Sequence, residues 1–137
     1  MNDLDEQLIA AARGVCGDFP LGADWGEGWS AGGVGAALRT ADGDVFTGVC
    51  IDLGSGLGFC AEVAAIAEMI KHRQTRIAAI VAVSGRRILP PCGRCREFMM
   101  SVNRGNAETQ VIVSDDLVVP LRELLPHHWL DAFEDKS

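Results

Sequence analysis

Three cysteines and one glutamate have the types and spacing for chemistry: Cys60-Ala61-Glu62 in mid-chain, and Pro91-Cys92-Gly93-Arg94-Cys95 further on. Thiolates are soft ligands that suit Zn²⁺, and a Cys-x-x-Cys pair with one distant Cys supplies three of them. The fourth tetrahedral position is then left for water, which is what separates a catalytic zinc from a structural one. Glu62, two residues after the first ligand, is placed to pass protons to and from that water. Three thiolates on a dication leave roughly one net negative charge, which weakens the pull on water relative to neutral imidazole ligands. The positive ends of helices offset that charge and lower thiolate pKa values. Arg94, between the two cysteines, is a candidate to donate hydrogen bonds to sulfur and tune the metal from outside its ligand set.

These residues need elements that bring two distant segments together. Leu4, Leu8, Ala11, Ala12 and Val15 recur at three- and four-residue steps, which predicts an amphipathic helix over 3–15 with Asp3 near its start. Residues 17–28 read as a loop. Residues 33–40 and 44–51 flank Ala41-Asp42-Gly43, a strong hairpin signal. A helix is expected from about Cys60 to His72, and the β-branched run 77–83 suits a central strand buried on both faces. A third helix spans 92–103 with Phe98, Met99 and Val102 facing inward. Cys92 and Cys95, three apart, then share one face. Strands at 109–113 and 117–119 flank an Asp115-Asp116 turn, and 121–125 makes one helical turn before Pro126. Each motif helix follows a strand. Crossover connections in such units place helix starts at the carboxyl edge of parallel strands, where ligands bind, so both cysteine motifs are expected at one point.

Composition narrows the class. A chain of 137 residues, nearly half apolar and 23% charged, is expected to form a single globular domain over 1–137. The longest apolar run is too short to cross a bilayer, and residues 1–15 lack a signal peptide's pattern, so the expected place is the cytoplasm, with no membrane partner. With 12 basic against 19 acidic residues the net charge is -7, which disfavours a nucleic-acid polymer as partner or substrate. Five cysteines, an odd number, argue for metal or free thiols over a disulfide framework.

The two cysteine motifs together are the recognised signature of zinc-dependent base deaminases in its three-cysteine form. With Val34-Gly35-Ala36-Ala37-Leu38, Thr47-Gly48-Val49, Arg96 and Glu123-Leu124-Leu125-Pro126 they give the chain, over about residues 30–130, a pattern that resembles the cytidine deaminase family. The likeness is to its short three-cysteine type, and in particular to the blasticidin S deaminase branch. The resemblance implies a three-layer α/β/α sandwich with a mixed, roughly five-stranded sheet. It implies zinc on Cys60, Cys92 and Cys95, Glu62 as proton shuttle, and the backbone around Ala61 against the pyrimidine edge. Trp129, three residues past Pro126, matches an aromatic residue that reaches a nucleoside, often across a subunit boundary, in homotetramers whose neighbouring subunits complete each site. The substrate implied is a small-molecule nucleoside: cytidine, deoxycytidine or a blasticidin S-like compound.

The chain departs from that family on the sugar side. Where cytidine deaminases commonly carry Asn-x-Glu against the ribose hydroxyls, it has Cys50-Ile51-Asp52. Asp52 still accepts hydroxyl hydrogen bonds, whereas Cys50 is a poor substitute for an amide. Gly32-Gly33 replaces an aromatic residue, and the glycine-rich stretch 54–58 is one residue shorter, which leaves a modified cytosine nucleoside open. Gly54, Gly56 and Gly58 match neither phosphate-loop spacing and are expected to give flexibility and close approach to a ligand. His127 and His128 read as a solvated pair or as pocket lining. Three other readings stand beside deamination: a structural zinc with a fourth ligand from Cys50, Cys16 or His72; a non-catalytic zinc-scaffolded binding protein; and a redox pair of Cys92 and Cys95.

Overall fold

The first helix, α1 (Asp3–Val15), has the bounds expected, and Asn2 is its cap. The Asn2 carboxamide accepts from the Asp5 N–H at 2.9 Å and the Asp5 carboxylate accepts from the Asn2 N–H, a reciprocal capping box. The computed structural model describes residues 1–22 and 29–133. The elements after α1 are β1 (Phe19–Pro20), β2 (Ser30–Thr40), β3 (Val45–Asp52), α2 (Ala61–Lys71), β4 (Ile77–Ser84), β5 (Arg87–Leu89), α3 (Gly93–Val102), β6 (Gln110–Ser114), β7 (Leu117–Pro120) and α4 (Leu121–Leu124). Short 3₁₀ turns at Gly54–Gly56, Arg104–Glu108 and Trp129–Phe133 complete the order. Part of the loop expected at 17–28 is the two-residue strand β1, and residues 23–28 lie outside the described residues.

The strands join one mixed sheet of seven rather than about five. Residues 35–39 of β2 pair antiparallel with β3 and also with β4, so those two strands lie on opposite sides of β2. β6 runs parallel to β4, and β7 closes the edge antiparallel to β6. The five long strands therefore match the expected sheet, and the surplus consists of β1, beside the start of β2, and β5, a hairpin partner for the end of β4. β3, β4 and β6 all point the same way.

Side chains of β2 and β4 alternate between two cores. Ala37, Ala79, Val81 and Val83 pack with Leu8, Ile9 and Ala12 of α1, while Leu38, Ile77 and Ile80 pack with Ile66 and Met69 of α2 and Met99 and Met100 of α3. The sheet thus lies between α1 and the α2/α3 pair. Gly48 on β3 sets how close α2 comes: a Cβ there would fall 2.6 Å from Ala64 Cβ and 2.7 Å from the Ala61 carbonyl oxygen. The first turn of α2 is thereby pressed onto the strand that precedes it.

Candidate metal centre and its cavity

α2 and α3 both begin at the carboxyl edge of the parallel strands. Cys60 is the N-cap of α2, Cys92 the N-cap of α3, and Cys95 lies one turn into α3, fully buried. Their sulfurs converge: Cys60 Sγ is 3.5 Å from Cys92 Sγ, Cys92 Sγ is 3.6 Å from Cys95 Sγ, and all three lie within 4.8 Å of one another. Tetrahedral zinc with bonds of about 2.3 Å requires sulfurs roughly 3.8 Å apart, so this donor set fits Zn²⁺ in both chemistry and spacing. Arg96 braces the loop that carries Cys92, donating to the Pro91 carbonyl at 2.8 Å and to the Leu124 carbonyl at 3.1 Å.

The electrostatics of the bare cluster explain why it calls for a cation. Burial, the Glu62 charge and the Cys60 side chain push the Cys95 thiol far above its ordinary range. Burial and the hydrogen bond to Cys92 push Cys60 up as well. At Cys92 burial works in the same direction, but hydrogen bonds from the Cys95 backbone N–H, the Cys60 and Cys95 side chains and the Arg94 N–H outweigh it, and its pKa is lowered. Of the three thiols only Cys92 is shifted toward its thiolate, and a bound dication would offset the burial that holds the other two toward their neutral forms. Arg94 acts here through its backbone, a different route from the side-chain hydrogen bond expected. Its side chain lies at the cavity wall.

Glu62 sits in the first turn of α2, 5% exposed, and burial raises its carboxyl above the ordinary range; its own N–H and the Cys95 thiol act in the opposite sense. It opens onto a cavity of about 610 Å³ that also takes in Cys60, Cys92, Ala61, Cys50 and Asp52. Sequence reading missed Ser84, Leu89 and Pro90 on its wall, which come from the β4–β5 hairpin. The positive φ of Gly85, next to Ser84, is the signal that marks that turn.

Other expectations land elsewhere. Trp129, expected to act across a subunit boundary, does not line the cavity of its own chain: it is 66% exposed, its ring meets that of Phe133 at a tilt with centroids 4.5 Å apart, and its backbone N–H donates to the Glu97 carboxylate at 2.7 Å. His128 is no solvated residue, with only 12% of its side chain exposed and Nε2 3.1 Å from Asp131 Oδ1; His127 is exposed, and neither lines the cavity. Gly54 and Gly58 are packed closely against the Trp29 indole and the Ile51 backbone, and Gly56 and Gly58 also line the cavity. No fourth ligand joins the sulfurs among the described residues. Cys16 Sγ faces the Gly33 and Val83 carbonyls, and His72 caps the far end of α2, about 18 Å along its axis from Cys60.

The family model for the cytidine and deoxycytidylate deaminase zinc-binding region matches residues 21–111, both cysteine motifs included. The chain belongs to that family. The cytidine deaminase of Mycobacterium tuberculosis is 36% identical over 104 residues, 73% of this chain and 71% of that protein. Its crystal structure superposes with a TM-score of 0.74 at 30% identity, covering 94% of this chain and 98% of the other. A blasticidin-S deaminase of Bacillus cereus is 36% identical over a shorter stretch of 76 residues, 48% of this chain and 54% of that protein. In this chain the three sulfurs that fit zinc lie at the starts of α2 and α3. No helix among its described residues is long and apolar enough to cross a membrane.

Proposed function

We propose that the protein is a zinc-dependent hydrolase that converts the ring amine of a cytosine nucleoside, cytidine, deoxycytidine or a blasticidin S-like compound, to a carbonyl and releases ammonia. One observation carries this reading: three sulfurs are spaced for zinc, and two of the residues that bear them, Cys60 and Cys92, line with the buried acid Glu62 a cavity of nucleoside size or larger. Cys60, Cys92 and Cys95 hold the metal, which when bound brings the pKa of water from about 15.7 to near 7.

The chain's own groups do the rest. Glu62 takes a proton from the attacking water, places it on the ring nitrogen, and delivers the next to the departing ammonia. Burial favours its protonated form, which suits a group that must hold a proton between steps. The backbone at Ala61, itself fully buried, borders the pyrimidine edge, and Asp52 at the cavity wall accepts from sugar hydroxyls. Trp129, with its face exposed, stacks on the nucleoside of a neighbouring subunit in a homotetramer. Residues 1–137 act as one deaminase domain in the cytoplasm; supporting this are the single sheet and the absence of a membrane-spanning helix among the described residues.

The test is ammonia release from cytidine, deoxycytidine and blasticidin S, with free cytosine and guanine as controls, by wild type and Glu62→Gln. The variant keeps its zinc and its fold and loses about a thousand-fold or more of turnover. Undiminished turnover by zinc-loaded Glu62→Gln removes the assigned role, and no ammonia from any cytosine compound removes the function.

A further inference from the structure

The register of β2 against β3 breaks at the cavity wall. Ala31 pairs with Ile51 and Gly35 with Val49, so Gly32, Gly33 and Val34 all stand opposite the single residue Cys50. Gly32 takes φ +85, and a Cβ there would run into the Gly17 carbonyl oxygen, so the bulge is built on a residue without a side chain. Its cost is a Val34 N–H with no carbonyl facing it across the ladder. The Cys50 sulfur takes that N–H at 3.2 Å, and the Cys50 thiol in turn reaches Asp52 Oδ2 at 3.6 Å. Cys50 is 6% exposed, whereas Asp52 is exposed and shares the cavity wall with it.

We propose that Cys50 is a positioning residue for substrate: its thiol seals the bulge on one side and holds the Asp52 carboxylate on the other, turning the free oxygen of Asp52 toward a hydroxyl-bearing sugar. The inference rests on the deaminase reading above. A thiol has one weak donor and a weakly accepting sulfur, and here both are engaged by protein. The Cys50–Asp52 pair therefore offers the sugar one oriented carboxylate acceptor and, from Cys50, no donor. Its affinity for the sugar depends on how firmly that acceptor is held, because an untethered carboxylate must be ordered on binding.

Cys50→Ala removes both contacts, and Cys50→Ser keeps a donor and an acceptor in place. For cytidine, Cys50→Ala raises KM about five- to ten-fold with kcat nearly unchanged, and Cys50→Ser stays close to wild type. For 2′,3′-dideoxycytidine, which has neither secondary hydroxyl to offer Asp52, wild type and Cys50→Ala share the same KM. A purely structural role predicts a different outcome, with kcat, zinc content and thermal midpoint falling together for every substrate. That result, or a Cys50→Ala variant with an unchanged KM for cytidine, overturns the proposal. Should Cys50→Ala fail to fold, a Cys50→Ser KM raised for cytidine and dideoxycytidine alike does the same. Turnover of no cytosine nucleoside by wild type instead overturns the function reading, and this inference with it.

Discussion

At the scale of single residues, the cluster gathers four acidic groups that cannot all ionise unaided. Cys95 is fully buried beside the Glu62 carboxyl, and both are pushed toward their neutral forms by the same lack of water. Replacing Cys95 with Ser removes the ligand whose thiol most needs the cation. Zinc content of the purified variant falls from one per chain to well below one half, measured by elemental analysis, with a lowered thermal midpoint. The ligand set and Glu62 were legible in the sequence because metal chemistry restricts both residue type and spacing. The surroundings of the two histidines were not, because a lone imidazole side chain carries no spacing rule. The burial of His128 follows from its pairing with Asp131, which only the folded turn creates.

At the scale of elements, the hairpin, the three long helices and the central strand could be read from turn chemistry and periodicity, and their bounds agree within one to three residues. β1 and β5 were missed because strands of two and three residues hold no period to read. The β2 bulge was hidden for a related reason: Gly32-Gly33 announces freedom, not the register shift that uses it. Arg96 is the element-scale brace of the site, tying the Cys92 loop to the end of α4 by two hydrogen bonds from one guanidinium. Arg96→Ala costs about 2–3 kcal/mol of stability and hastens zinc loss to a chelator. Arg96→Lys recovers only part of this, since a single ammonium cannot hold two carbonyls in the same fork geometry. Chemical denaturation and chelator-trapping rates check both.

At the scale of the whole molecule, the metal ties together the two helices of one layer. Cys60 starts α2 and Cys92 starts α3, so a cation shared by them joins helices that are otherwise held by side chains in one core. Zinc binding must displace protons from Cys60 and Cys95, whose thiols are pushed up when bare, so retention weakens as pH falls and strengthens as it rises. Thermal melts across a pH series show the consequence. The midpoint of the zinc-loaded protein falls toward that of the chelated protein on acidification, while the chelated protein changes far less over the same interval.

The account rests on a zinc held by three sulfurs with its remaining position free of protein, beside a buried acid. X-ray absorption at the zinc edge of the purified protein measures this directly. It is expected to show three sulfur neighbours at about 2.3 Å and one oxygen or nitrogen neighbour, the last of which changes when a cytosine nucleoside is added. Four sulfur neighbours, or a spectrum indifferent to every cytosine nucleoside tried, contradicts the assignment.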